Sequence, residues 1–520
     1  MLLHNFLEFF GREYPDQPFA EYQGQTLSYG EADAWANRFA NSLLASGLAK
    51  GDRFAWLSKN NLEICLMFFG ASKVGIIPVP LNYRLAPREW AYIVSDAESL
   101  MLFCEDEYAS GIDSVKSEIP SVKRWVTLGS DSKPEGWQTL SDWLEEVATK
   151  PAASVCESDQ CYQMYTSGTT GLPKGAMISQ GNVTNNIQMA HLASSITPRQ
   201  ERNLIVAPVF HAAAALSMMA MVASGSTLVI HHEFVPARVV QSLDEEAITM
   251  TTMVPAMIQA CLVAVPDIAT RKFEKLRLIS YGASPIAQET LQKAMSVFSC
   301  GFAQGFGMTE LTCIATNMTP AVHERAASGE PGLLLSAGRP QMGTEIKIAD
   351  ENDEELPRGQ VGQILVRGPQ TMMGYWRLPE ATDSALKGGW MHTGDAGYMD
   401  EEGFIYIQDR IKDMIVSGAE NIYPAEVERA IFEHPAVADT AVVGIPHEQW
   451  GETVLAFVAL KPGQTLELET LQAFCRERLA GYKIPSKLEI IDAIPRNASG
   501  KSLKTILRQP YWEGKQRQVS

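Results

Sequence analysis

The sequence predicts an α/β protein in which a large N-terminal domain of layered β-sheets and helices precedes a small α+β domain. Three observations carry that prediction. At 520 residues the chain is too long for one compact core, so two or three domains are expected. Helical and strand-like patterns alternate over roughly the first 400 residues, as they do where helices cover layered sheets. The pattern then changes at Asp409-Arg410-Ile411-Lys412-Asp413, and a smaller unit of about 110 residues follows, within the usual domain range.

The elements follow in order. Tyr29 to Leu48 reads as a long amphipathic helix that ends at Gly47 and the turn Lys50-Gly51-Asp52. Phe54 to Leu57 reads as a strand, Leu62 to Val74 as a helix, and Gly75 to Pro80 as a buried strand. Ile248 to Val254 and Leu276 to Tyr281 are further apolar runs, each flanked by a helical segment. His211 to Ile230 is twenty residues without a formal charge. It holds Ser217, Ser224, Gly225, Ser226 and Thr227 after a proline-containing turn, so a buried helix and then a strand are expected, not a membrane span. Beyond residue 413, Pro424 starts a helix over Ala425 to Glu433 that His434-Pro435 stops. Strands at Thr440 to Val443 and Val454 to Leu460, a helix at Glu469 to Leu479 and a strand at Lys487 to Ile491 complete the unit.

Composition bounds the function. Hydrophobic residues make up 46% and charged residues 20%, the balance of an ordinary globular protein. With 43 Lys and Arg against 61 Asp and Glu the formal net charge is −18, which argues against nucleic acid or anionic membrane as a general partner. Eight cysteines lie scattered, and the close pair Cys156 and Cys161 lacks a second His/Cys pair. Reduced thiols and a cytoplasmic location are expected, with neither a disulfide framework nor a zinc site. Met1-Leu2-Leu3-His4-Asn5 lacks the basic region and cleavage site of a signal peptide. The nine histidines are dispersed, and the adjacent pair His231-His232 has no third ligand near it, so no metal-hydrolase cluster is expected.

Tyr165-Thr-Ser-Gly-Thr-Thr-Gly-Leu-Pro-Lys-Gly175 is the most informative segment. Its glycines let the backbone curl until several N–H groups face one anion, and Thr166, Ser167, Thr169 and Thr170 add hydroxyl donors around Gly168. Lys174 supplies a mobile positive charge suited to a triphosphate. A surface turn rich in small polar residues is the bland alternative, and the lysine fixed after Pro173 argues against it. The Walker loop requires Gly-Lys followed by Ser or Thr, whereas Lys174 stands between Pro173 and Gly175, so that reading fails.

This loop resembles the phosphate-binding loop of the adenylate-forming superfamily of acyl- and aryl-CoA synthetases, peptide-synthetase adenylation domains and firefly-type luciferases. The other motifs of that family occur in order from about residue 25 to residue 508. Pro208-Val-Phe-His211 is similar to the segment lining the acid site, with His211 near the carboxylate. Gly282-Ala283-Ser284-Pro285 and Gln304-Gly305-Phe306-Gly307-Met308-Thr309-Glu310 resemble the adenine and magnesium segments. The resemblance implies Gln304 at the adenine amino group, Thr309 at the α-phosphate and Glu310 on Mg²⁺, a hard cation suited to carboxylate and phosphate oxygens. Phe306 departs from the more usual Tyr and loses that hydroxyl.

Trp390-Met-His-Thr-Gly-Asp395, followed by Arg410, resembles the ribose clamp, and Ile407 goes with the same nucleotide-binding set. Asp409 to Asp413 resembles the hinge, with Lys412 at the pivot. Ser417-Gly418-Ala419 resembles the loop that meets CoA, although the family often has a second glycine where Ala419 stands. Pro495-Arg-Asn-Ala-Ser-Gly-Lys501 resembles the C-terminal lysine motif, which implies Lys501 at the α-phosphate and the acid carboxylate. The implied domains are 1–408, with a β-barrel-like subdomain, a hinge at 409–413, and a mobile domain at 414–520.

The resemblance implies a two-step ligase that uses ATP, Mg²⁺ and coenzyme A and forms an acyl-AMP and then a thioester. Positioning and charge stabilisation would do the work without a protein nucleophile, and no Ser-His-Asp triad is read here. Ala212 to Ala215, Ala283, Met218, Met219, Met221, Met253 and Met257 either line a roomy apolar acid pocket or pack as ordinary core. Without a basic residue in these segments, a hydrophobic medium- or long-chain fatty acid is favoured over acetate or a dicarboxylate. Aryl or ring-bearing acids, and transfer to a carrier protein in trans, stay open. So does a homodimer. A luciferase is disfavoured, because the chain ends Gln518-Val519-Ser520 in place of Ser-Lys-Leu. A regulatory protein that kept the fold and lost the chemistry is disfavoured by Lys501, Glu310 and Asp395.

Overall fold

The computed structural model describes residues 1–129, 134–166, 172–194, 196–284, 286–417, 420–496 and 502–513. The chain packs as two units, one of Met1–Leu334, Gly338–Glu345 and Arg367–Met391, the other of Leu335–Ala337, Ile346–Val366 and His392–Ser520.

In the first unit, Ser28 and Glu31 cap the helix Tyr29–Ala45 reciprocally, Glu31 N donating to Ser28 Oγ at 3.3 Å and Ser28 N to Glu31 Oε2 at 2.8 Å. The helix stops short of Leu48 because Gly47 turns into the left-handed region at φ 88°. Helix Leu62–Val74 spans the predicted residues, with Asn61 Oδ1 accepting from Ile64 N at 2.9 Å and Gly75 left-handed at its end. That cap delays the following strand to Ile77–Leu81. It joins Arg53–Leu57, Met101–Cys104, Arg124–Thr127 and Gln138–Thr139 in a parallel five-stranded sheet. Its first three strands are buried throughout, as sheets covered on both faces require.

A nine-stranded sheet forms the other layer, in the order Arg339–Pro340, Thr316–Met318, Gly301–Phe306, Leu278–Gly282, Met250–Met253, Arg202–Ile205, Thr227–Ile230, Pro18–Tyr22, Gln25–Ser28. Its middle is parallel and its edges antiparallel. The uncharged stretch forms helix Ala212–Ala223 and buried strand Thr227–Ile230, and among the described residues no helix is long and apolar enough to cross a membrane. An antiparallel trio, Gly374–Tyr375, Lys174–Ser179 and Gln160–Thr166, carries the flanks of the expected phosphate loop.

The second unit holds a four-stranded sheet, Glu345–Ala349, Gly362–Arg367, Met391–Met399 and Ile405–Arg410. Among the described residues its ladder runs in that order without closing into a ring. The C-terminal sheet is built on the hairpin Val437–His447 and Gly451–Leu460, longer than the sequence predicts. Pairing continues past Gly444 and Pro446 because the partner strand supplies the bonds that local propensity does not. Helix Pro424–Phe432 packs its buried Val427 and Ile431 with Ile415, Ile422, Val442 and Leu471.

Candidate active site

Thr166 and Lys174 face each other across the hairpin that closes the expected phosphate loop. Ser167, Gly168, Thr169 and Thr170 lie outside the described residues. The register alone therefore places the hydroxyl of Thr166 and the ammonium of Lys174 at the two ends of one short loop, as a phosphate cradle requires.

Glu310 stands in the single tight turn Thr309–Leu311 and is 5% exposed. Its Oε1 accepts from Thr166 Oγ1 at 3.2 Å and from Tyr375 Oη at 2.9 Å. The Nζ of Lys174 lies 5.1 Å from the centre of the Tyr375 ring. Met372 N donates to the Glu310 carbonyl at 2.8 Å, and Thr312 Oγ1 to the Gln370 carbonyl at 2.7 Å. Gly307 is required sterically, since a Cβ there would lie 2.0 Å from the Cys313 carbonyl oxygen. The predicted loop threonine, loop lysine and acidic residue are thus gathered around one tyrosine that sequence reasoning missed. The available signal was Gly374-Tyr375-Trp376, two large aromatics after a glycine in an otherwise loop-like stretch.

The two expected adenine segments end adjacent parallel strands, with Tyr281 paired to Gln304 and Gly282 to Gly305. A Cβ at Gly282 would meet the Gly305 carbonyl at 2.3 Å, so the strand contact itself demands glycine. Ala283 follows with φ 67°, a left-handed conformation costly for a residue with a Cβ. Behind Gln304 sits a buried relay. Tyr281 Oη lies 2.9 Å from His323 Nε2 and 3.4 Å from Gln304 Oε1, and His323 Nδ1 lies 2.9 Å from the Thr319 carbonyl. A carbonyl accepts, so Nδ1 carries the proton and Nε2 is an acceptor, and the single Tyr281 hydroxyl proton is shared between Nε2 and Gln304 Oε1. Burial lowers the His323 pKa to about 4, in keeping with a neutral ring. Phe306 pairs with Thr316, and Ser284 is half-buried beside Ala283.

His211 stands at the N-cap of helix Ala212–Ala223, after the strand closes at Ile205 and Pro208 turns the chain. Its ring centre is 4.3 Å from that of Phe210, which meets Tyr83 edge-on at 5.4 Å. Met218, Met219, Met221, Met253 and Met257 are all buried.

The flanks of the expected phosphate loop are braced by Tyr165 and by residues outside the motifs. Tyr165 Oη donates to Asp96 Oδ2 at 2.5 Å, and burial followed by that bond pushes the phenol pKa well up. The Arg53 guanidinium lies 3.4 Å over the Trp376 ring and donates to Gln163 Oε1 at 3.0 Å. One expectation needs correction: His232 does have acidic neighbours, Glu105 and Glu107, brought in by the N-cap and first turn of helix Asp106–Val115. Its Nε2 lies 3.1 Å from Glu105, while Lys59 already pairs with Glu107 at 3.0 Å.

In the second unit, Asp395 and Arg410 are direct cross-strand neighbours, and Ile407 lies on the same strand as Arg410. Lys412 lies in the turn Ile411–Asp413, where burial first, and then Arg410 and Arg508, lower its pKa against the pull of Asp413 and Asp395. Ser417 ends a strand and pairs with Glu420 and Gly451. Gly418, Ala419 and Lys501 lie outside the described residues. All eight cysteines are free thiols.

Two family models match the chain: AMP-binding enzyme over residues 7–376 and AMP-binding enzyme C-terminal domain over residues 426–501. The chain is 36% identical to a fatty acid–[acyl-carrier-protein] ligase of Streptomyces coeruleorubidus, over 98% of this chain and 97% of that protein. It is 35% identical to a long-chain-fatty-acid–CoA ligase of Mycobacterium tuberculosis, over 93% of each. Its fold is similar to that of o-succinylbenzoate CoA synthetase from Bacillus subtilis in complex with an acyl-adenylate intermediate. The TM-score is 0.84 and the identity 31%, with 97% of each chain covered.

Proposed function

Because the chain belongs to the AMP-binding enzyme family and is an AMP-forming acyl-CoA synthetase, we propose that its acid is a hydrophobic medium- or long-chain fatty acid. The uncharged helix Ala212–Ala223 carries this reading. Met218, Met219, Met221, Met253 and Met257 are buried in or beside it, an adaptable apolar set that brings no cation for a second carboxylate. The names of the two relatives, both ligases of fatty acids, point the same way.

The enzyme uses ATP, Mg²⁺ and CoA. The acid's carboxylate oxygen attacks the α-phosphorus, the bond from that phosphorus to the bridging oxygen breaks, and pyrophosphate leaves. The CoA sulfur then attacks the acyl carbonyl, its proton passes to water, and AMP departs. Three anions meet in the first step, so the protein's task is positioning and charge stabilisation.

The roles read from the motifs are assigned as part of this proposal. Thr166 to Thr170 and Lys174 hold the outer phosphates, and Thr309 the α-phosphate. Gln304 reads the adenine between Gly282-Ala283-Ser284 and Gly305-Phe306-Gly307, and Asp395 with Arg410 and Ile407 hold the ribose side. The carboxylate of Glu310 fits a magnesium ligand. It is a hard oxygen donor, and among the described residues only its Oε1 accepts a hydrogen bond. Bound Mg²⁺ supplies neutralising charge to the phosphate oxygens. His211 gates the acid, Lys501 spans carboxylate and α-phosphate, and Ser417-Gly418-Ala419 meets the pantetheine arm. Residues 1–408 form the stationary part and 414–520 the mobile part, turning about 409–413 at Lys412. A cytoplasmic location is supported by the eight free thiols.

The test is AMP and pyrophosphate release with Mg-ATP over acids from acetate to long-chain, aryl and steroid-like. AMP formation that requires CoA and peaks on medium or long chains is expected. A peak on aryl acids, or turnover completed only by an acyl-carrier protein, would overturn the substrate reading. Lys501→Ala should abolish acyl-AMP formation while ATP still binds.

A further inference from the structure

We propose that Tyr375 is a positioning residue that orients the Glu310 carboxylate toward magnesium and holds Lys174 over its ring, an inference that rests on Glu310 being the magnesium ligand. The two side chains are almost fully buried, Tyr375 at 9% and Glu310 at 5% exposure, and their 2.9 Å hydrogen bond bridges 65 positions of sequence. Thr166 Oγ1 donates to the same oxygen. A buried carboxylate whose role is structural has both oxygens satisfied as a rule. Here both donors among the described residues gather on Oε1, so Oε2 keeps its lone pairs for a cation. The ring adds a second function, since a lysine ammonium over an aromatic face is held by the ring quadrupole, and Lys174 occupies that position. One tyrosine thus relates the group that would hold the metal to the group that would hold the phosphates.

The tyrosine is itself locked. Gly374 and Tyr375 pair antiparallel with Met177 and Ala176, on the strand that begins at Lys174. Tyr375 N donates to Thr382 Oγ1 at 2.9 Å, and Trp376 N to the Gly175 carbonyl at 2.8 Å. Trp376 is pinned between the Arg53 guanidinium and a 2.9 Å bond from its Nε1 to the Asp96 carbonyl. Lysine, tyrosine and glutamate are therefore fixed to neighbouring strands and one turn. Such outer-shell rigidity is what gives a metal ligand a defined orientation.

The experiment uses the full chain with Tyr375→Phe, which keeps the ring and removes Oη. Binding of Mn²⁺ to the protein–ATP complex is followed by electron paramagnetic resonance, and ATP binding in EDTA by calorimetry. Tyr375→Phe should weaken Mn²⁺ about 10-fold or more, the usual effect of losing an outer-shell partner, with ATP affinity in EDTA unchanged. Tyr375→Leu removes the ring as well, and should also weaken ATP in EDTA by about 3-fold through loss of the lysine platform. Glu310→Gln separates the two levels of the proposal. If Glu310→Gln binds Mn²⁺ normally, the magnesium reading of Glu310 fails and this inference with it. If Glu310→Gln loses Mn²⁺ while Tyr375→Phe does not, only the role given to Tyr375 is overturned. A Tyr375→Phe protein that loses Mn²⁺ and metal-free ATP binding in equal measure would also overturn it, since general packing would then explain the loss.

Discussion

Arg410 Nε lies 2.6 Å from Asp395 Oδ1, across a pair of strands in which the two residues are direct neighbours. The carboxylate is buried and its strand is held by Thr393 Oγ1 donating to the Ile364 carbonyl at 2.8 Å and accepting from Asp395 N at 3.1 Å. Both side chains are therefore preorganised before any sugar arrives. If the pair holds the ribose, Asp395→Ala should weaken ATP about 10-fold or more, the scale of a charged hydrogen bond. The decisive comparison is with 2′-deoxy- and 3′-deoxy-ATP by calorimetry. The parent should discriminate against at least one analogue, and Asp395→Ala should bind it and ATP nearly alike.

Acid should destabilise the first unit in two stages. Burial lowers the His4 pKa to about 4, and its Nδ1 meets Ser72 Oγ at 2.9 Å. Burial alone would raise Glu8, but hydrogen bonds from Lys150 at 2.8 Å and Lys73 at 2.9 Å outweigh it and hold the carboxyl down to about 2. Both folded values are depressed, so both contributions are present at neutral pH. That of His4 is lost as pH falls from about 6.5 to 4, and that of Glu8 from about 4.5 to 2. Each is worth at most about 3 kcal/mol. Melting temperature against pH should fall in both windows, and Glu8→Gln should remove the lower step while carrying the His4 step to lower pH, because the Glu8 charge raises the His4 value.

Local chemistry made much of this protein legible. Leu62–Val74 is bounded by an Asn cap and a left-handed glycine, signals that lie within the helix's own neighbourhood. The loop from Thr166 to Lys174 is recognisable because its residue types and spacing state their own chemistry. Tyr375, Tyr281 and His323 were not legible, since each acts through a partner 23 to 65 positions away, and nothing local marks a tyrosine as a carboxylate's donor. The same holds for Glu105 and Glu107 beside His232, which meet only through tertiary packing. The hairpin strands past Val443 were missed because Gly444 and Pro446 carry turn propensities that the partner strand overrides.

Tyr281 should tune adenine recognition without touching the nucleotide's phosphates. Its hydroxyl stands between His323 and the amide of Gln304, the residue assigned to the purine. Tyr281→Phe frees that amide to turn and removes one neutral hydrogen bond, so ATP should bind about 5-fold more weakly. Preference for ATP over GTP should narrow while pyrophosphate affinity stays constant. An unchanged ATP-to-GTP ratio would show that the relay does not orient Gln304.

Lys504 should be the anchor of the second unit. Its buried ammonium lies 2.9 Å from Glu428 Oε1 and 3.5 Å from Asp409 Oδ2. Asp409 Oδ2 also accepts from Ala425 N at 2.7 Å, and Glu428 Oε1 from Val442 N at 2.7 Å. Four residues on, Arg508 donates to the Lys412 carbonyl at 3.2 Å and pairs with Asp413 at 3.0 Å. The helix Lys504–Trp512 is thus tied at both points to the 409–413 segment. Burial works against the charge on Lys504, but Glu428 and Asp409 outweigh it and raise its pKa. A raised value gives stability that is present below the unfolded lysine pKa of about 10.4 and lost only as pH climbs above it. Lys504→Met strands the buried Asp409 carboxylate and the half-buried Glu428 carboxylate, which should cost about 3 kcal/mol and lower the melting temperature of this unit. Adding Glu428→Leu should recover part of that loss, because a buried charge without its partner costs more than an apolar pair. If both variants melt with the parent, the network does not hold the helix to the segment.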